Sequence, residues 1–113
     1  MLKRLSSATA KLKNLTLKIG LAARSNRDEV GAASVDYLMY CGYIVFGLMW
    51  VKMALAASDK LEAGEGASDF YDAKIYTAKF YFARMFPRIR THEICMRAGA
   101  DTLMDLDAEL FGM

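Results

Sequence analysis

Residues 37–51 read Tyr-Leu-Met-Tyr-Cys-Gly-Tyr-Ile-Val-Phe-Gly-Leu-Met-Trp-Val, with Asp36 before them and Lys52 after them. As a helix this run is apolar on every side through about four turns. At fifteen residues it falls short of the ~18–20 that a bilayer helix needs, so it is expected to form the buried core helix of a bundle. A helix in a bundle of four normally shows one side to water. One with no polar side calls for a further covering surface, either a second copy of the chain or a larger body on which the bundle docks. Tyr40, Tyr43, Phe46 and Trp50 are the candidate anchors of that interface. With Phe80 and Phe82 they could also suggest a flavin or acyl pocket, but aromatics at helical spacing are more often core or interface residues.

The flanking sequence supplies the rest of a helical domain. The 113 residues hold one Pro and eight Gly, too few for a loop-rich or all-β chain, and their number suits a single domain spanning 1–113. A first helix is expected over residues 2–23, where Leu2, Leu5, Thr9, Leu12, Thr16, Ile19 and Ala23 alternate at spacings of three and four. That seam outweighs the resemblance of this basic, acid-poor start to an organelle transit peptide. Ser25-x-x-Asp28 and Asn26-x-x-Glu29 both resemble capping boxes that open a second helix over 27–61. The glycines of 62–68 end it, and Ser68 or Asp69 can cap a third helix.

Pro87 must break that third helix near Phe86 and can begin a fourth, expected to run to about residue 105 with Ile89, His92, Met96, Gly99, Leu103 and Leu106 as its seam. The expected architecture is an all-α, antiparallel up-down four-helix bundle with one long, very apolar second helix. That helix would reach roughly 50 Å and the third and fourth only about 27 Å each, so something must cover the overhang or Gly31 must kink it.

Charge and chemistry exclude more than they assign. Fifteen Lys and Arg against thirteen Asp and Glu give a net charge of +2, too small to imply a nucleic-acid partner. The charge is nonetheless segregated: residues 1–27 are basic without an acid and 101–109 acidic without a base, so the two ends could attract each other. Cys41 and Cys95 lie in apolar segments, as free thiols do in reduced cytoplasmic proteins. His92 and Cys95 share a helical face, but zinc needs three or four ligands, so no metal site is assigned. No nucleophile and base pair with an orienting residue, and Gly64-Glu65-Gly66 lacks the features of a nucleotide loop, so no catalytic or cofactor-binding residue is assigned either. Arg84, Arg88, Arg90 and Arg97, around the Pro87 break, are the candidate anion-binding residues, the alternative being a solvated basic face.

One ordered series of short motifs carries a family resemblance: Tyr37-Leu38, residues 42–47, Trp50-x-x-Met53-Ala54, Phe70-Tyr71-Asp72-Ala73-Lys74, Thr77-Ala78-Lys79-Phe80-Tyr81-Phe82, Pro87, Arg97-Ala98-Gly99-Ala100 and Leu103-Met104. The chain resembles the extra C-terminal helical domain of large bacterial acyl-CoA dehydrogenases, a group that includes enzymes similar to 3-methylmercaptopropionyl-CoA dehydrogenase. The resemblance implies a parent flavoprotein of fatty acid metabolism that oxidises an acyl-CoA to its 2-enoyl-CoA and passes electrons from FAD to an electron-transfer flavoprotein. In that family a carboxylate takes the α-proton and the flavin takes the β-hydride, both in domains that precede this one. The chain alone is therefore expected to be inactive and to hold no FAD. Its expected partners are itself, as a dimer, or the dehydrogenase body. The alternatives are a free-standing small protein that self-associates or pairs with a separate dehydrogenase, and a protein held at a membrane surface by its basic first helix.

Overall fold

The spine of the structure is α2 (Asp28–Glu62), a single helix of 35 residues on which the other long elements pack. The structure is a computed structural model that describes residues 1–113, and it is all-helical without a strand. α1 (Leu2–Ser25) precedes the spine. After it come α3 (Ser68–Phe80), a π-helical turn (Tyr81–Met85), a 3-10 turn (Phe86–Arg88) and α4 (Ile89–Arg97). A one-turn α5 (Asp101–Met104) and a 3-10 turn (Ala108–Leu110) end the chain.

Local chemistry sets the junctions. Between α1 and α2 the Asn26 side-chain oxygen accepts the Asp28 N–H at 3.0 Å, and Asp28 and Glu29 place negative charge at the positive end of the helix dipole. Ser25 makes no such bond. The connection to α3 turns on Gly64 and Gly66, both in the left-handed region at φ 67° and 72°. Ala67, and neither Ser68 nor Asp69, occupies the cap position of α3, where no side chain caps the helix.

The expected bundle of four antiparallel helices is not the arrangement found. α3 and α4 lie end to end along α2. Contacts to α2 step steadily down it as the chain advances: Phe70 and Tyr71 lie beside Lys60 and Ala57, Ile75 beside Ala54, Phe82 beside Gly47, His92 against Asp36 and Gly99 beside Glu29. α1 runs antiparallel to α2 on the neighbouring side, from Leu2 beside Val51 to Ile19 beside Ala33. Three rods therefore form an up-down-up layer of 67 × 32 × 15 Å. Laid end to end, α3 and α4 also cover the length of α2 that two short helices side by side would have left bare.

The physical reason lies at Pro87. Phe80, Tyr81, Met85, Phe86, Arg88 and Ile89 all keep right-handed helical φ and ψ, so the hydrogen-bond ladder is interrupted while the chain direction is kept. In the π turn Phe86 N–H bonds to Tyr81 O, five residues back. The next bond of that kind would run from residue 87 to Phe82 O, but proline has no N–H to give. Arg4 of α1 supplies the missing donor, its Nη1 lying 2.6 Å from Phe82 O, with the guanidinium over the Phe86 and Phe82 rings at 5.2 and 5.8 Å. The break thus becomes the point where α1 is tied to the third rod. Replacing Arg4 with alanine is expected to cost about 1–2 kcal/mol in urea unfolding. The same replacement in a Pro87→Ala background, which restores the N–H, should cost measurably less.

α4 stops at Arg97, eight residues earlier than the sequence suggested. Gly99 takes φ 79° and ends the rod, and everything from Asp101 onward is exposed, Leu103 and Leu106 included. None of the four acids of 101–109 pairs with a base of the amino-terminal segment. The core is Leu5, Ala8 and Leu15 of α1, Ala33, Tyr40 and Val51 of α2, and Tyr81, Phe82, Phe86, Ile89 and Met96 of the third rod. On α1, Ala8 and Leu15 occupy the buried row where Thr9 and Thr16 were expected. Those two hydroxyls instead bond back to the carbonyls of Leu5 and Leu12.

Candidate functional site

Two neighbours cannot enclose a helix. α1 packs on the side of α2 that carries Tyr37, whose hydroxyl lies 2.9 Å from Thr16 Oγ1, and the third rod packs on the side that carries Asp36 and Tyr43. Between them Ala33, Tyr40, Gly47, Val51 and Ala54 are buried. The opposite arc is open. Val35, Leu38, Gly42, Val45 and Met49 recur along it at spacings of three and four, and Leu38 is 71% and Val35 70% exposed. Phe46, 63% exposed, stands beside this row with Met39 and Met53.

α2 is therefore not the buried core helix expected from its composition. It contains an 18-residue window long and apolar enough to cross a membrane, of which 22% is buried within the chain. Of the four candidate anchors, only Phe46 stands on the open arc. Tyr40 is 1% exposed and donates its hydroxyl to Ala8 O at 2.9 Å. Tyr43 is half-buried, its carbonyl accepting the Tyr81 hydroxyl at 2.6 Å and its ring 5.7 Å from that of His92, and Trp50 is half-buried against the core. The row from Val35 to Met49 was missed: its three-and-four spacing is in the sequence, but other rows of the same helix are as apolar, so spacing alone does not single it out.

The four arginines near Pro87 do not converge. Arg97 lies 3.4 Å from Glu93, and Arg84 and Arg88 are exposed without an acidic partner. Arg90 alone lines a groove of about 480 Å³, between Lys3, Arg4, Ser7 and Lys11 of α1 and Phe86 and Ile89 of the third rod. Glu93 is the one acid there and lies 3.5 Å from Lys11. Most of the groove's positive charge thus comes from α1, for which the only sequence signal was the acid-free run of residues 1–27.

His92 holds the third rod to α2 through Nδ1, 2.8 Å from Asp36 Oδ1. No three His, Cys, Asp or Glu side chains come together in a group that could hold a metal ion. Cys41 is half-buried, and burial pushes its thiol above the ordinary range, whereas Cys95, despite its apolar segment, is exposed.

Burial also pushes the phenols of Tyr40 and Tyr81 up to about 12, because the charged form would lose its water. The folded chain resists ionising these groups, while the unfolded chain ionises them near pH 10. Their contribution to stability is therefore complete below pH 10 and lost as the pH rises towards 12. Absorbance at the tyrosinate band should show two tyrosines ionising late, together with unfolding, and Tyr40→Phe should remove one late step.

The sequence model of a family described as acetyl-CoA dehydrogenase C-terminal like matches residues 1–107. No curated protein matches the chain.

Proposed function

The chain belongs to the acetyl-CoA dehydrogenase C-terminal-like family, the C-terminal domain of acyl-CoA dehydrogenases, and from that membership we propose that it is a docking domain appended to an FAD-dependent enzyme of the 3-methylmercaptopropionyl-CoA dehydrogenase type. The observation that carries this reading is the family match across residues 1–107. The open arc of α2 supports it, since an apolar surface of this extent marks an interaction site.

In this reading FAD stays with the dehydrogenase body. The apolar grooves beside Ile19 and Ala33 and beside Val51 and Ile75, of about 320 and 470 Å³, are open to solvent and form no enclosed slot for a flavin ring. The cationic groove can meet phosphate but has no such slot beside it. Proton and hydride transfer then belong to the dehydrogenase body, which would turn acyl-CoA into 2-enoyl-CoA and pass electrons to an electron-transfer flavoprotein, in the cytoplasm.

Titration of the purified chain with FAD tests the proposal. No stoichiometric uptake is expected in the flavin absorbance, and no dye reduction on adding an acyl-CoA. Added to an acyl-CoA dehydrogenase body that lacks its C-terminal domain, the chain should raise the melting temperature of that body. Flavin uptake, or turnover by the chain alone, would contradict the proposal.

A further inference from the structure

We infer that the open arc of α2 is a self-recognition surface, on which a second copy of the chain lays its own α2 in antiparallel order. The inference rests on the docking-domain reading above and names its partner. Its first support is the order of side chains along the row. Take a two-fold axis at the midpoint between Leu38 and Gly42. Leu38 of each copy then faces Gly42 of the other, Val35 faces Val45, and Met49 faces Gly31. Large meets small at two levels, and equal meets equal at the third.

Both glycines are otherwise unexplained. A Cβ at Gly31 or Gly42 would meet nothing within 4 Å in this chain, so neither is required by internal packing, and glycine inside a helix is destabilising relative to alanine. Gly47 on the buried side shows the contrast, since a Cβ there would lie 2.7 Å from Leu5 Cδ2. A close-packed second helix gives Gly42 the role in an interface that Gly47 has inside the chain.

Charge selects the direction. The uncharged stretch of the row is flanked by Asp28 at its start and Lys52 at its end. Antiparallel pairing brings Asp28 of one copy to the level of Lys52 of the other at both ends, whereas parallel pairing sets like charges together. Area is adequate as well. The exposed parts of Val35, Leu38, Met39, Val45, Phe46 and Met49 together amount to on the order of 600 Å², near the ~800 Å² per partner of a standard interface before backbone and flanking residues are included. A bilayer is the poorer occupant. The Asp36–His92 hydrogen bond and the Lys11–Glu93 ion pair lie alongside the apolar stretch, where a helix immersed in lipid would need apolar neighbours.

Sedimentation equilibrium on the 113-residue chain at micromolar concentration tests the inference, with an expected mass of twice 12.6 kDa. Val45→Glu should weaken association at least 100-fold while leaving the helical circular dichroism unchanged. Order is read by cross-linking in a Cys41→Ser, Cys95→Ser background. A mixture of Leu38→Cys and Gly42→Cys chains should form the mixed disulfide faster than either forms its own. A monomer in solution, association unaffected by Val45→Glu, faster same-site disulfides, or monomers co-sedimenting with anionic phospholipid vesicles would each overturn it. These results are independent of flavin uptake, which tests the docking-domain reading separately.

Discussion

Replacing Phe82 with alanine is expected to lower stability by about 3–5 kcal/mol, a large part of the ~5–15 kcal/mol available to a domain of this size. Phe82 is 2% exposed and lies where all three rods meet. Its ring is 5.1 Å from that of Phe86 and 5.4 Å from that of Tyr81, the Arg4 guanidinium stands over it, and its Cζ would lie 3.4 Å from a Cβ placed on Gly47. Truncation leaves a cavity where three rods meet, and it removes one of the two rings beneath Arg4. Phe80, two residues earlier and more than half exposed, provides the comparison. Its replacement by alanine should change stability by less than about 1 kcal/mol. Urea unfolding followed by circular dichroism measures both, and equal costs would mean that the third rod presents a different face to α2.

The second large effect is expected at Tyr40. Alanine there should cost about 3–5 kcal/mol, because the ring is enclosed between α1 and the third rod in the middle of the spine. Phenylalanine should cost only about 1 kcal/mol, the net worth of the hydrogen bond to Ala8 O. The difference between the two variants separates packing from hydrogen bonding. It also decides whether Tyr40 belongs to the core, as in this structure, or to an interface, where either change would leave the monomer's stability nearly untouched.

That alternative matters because Tyr40 and Phe46 are indistinguishable in sequence. Residues 37–51 carry no charged or amide side chain to mark an outer face, so length and the flanking caps point to a helix but not to which arc faces inward. Size is only a partial mark. The buried arc holds Ala33, Gly47, Ala54 and Ala57 but also Tyr40 and Val51, and the open arc carries Val35, Leu38 and Val45 but also Gly42. The helix boundaries were more legible. Asn26 and the glycines at 64 and 66 act through their own backbone or a neighbour two residues away, and α1, α2 and the start of α3 fall within a few residues of expectation.

Pro87 was legible as a break and misleading as a corner. Proline removes one donor and crowds one turn, but the direction of the chain is set by the φ and ψ of its neighbours. Here a π turn absorbs the defect and Arg4, distant in sequence, repairs the hydrogen bond. The cationic groove was hidden for a related reason. Arg90 meets Lys3, Arg4 and Lys11 only because α1 and the third rod run side by side, and that follows from the end-to-end placement of α3 and α4.

Small-angle scattering on the Val45→Glu chain, held as a monomer, tests the three-rod layer most directly. The layer has a Cα radius of gyration of 19.5 Å and a longest dimension of 67 Å. A compact domain of this length would give about 13 Å. A measured radius near 19–20 Å is the expected result. A value near 13–15 Å would mean that the chain folds back at Pro87 into a bundle, enclosing α2 and removing the open arc on which its docking role depends.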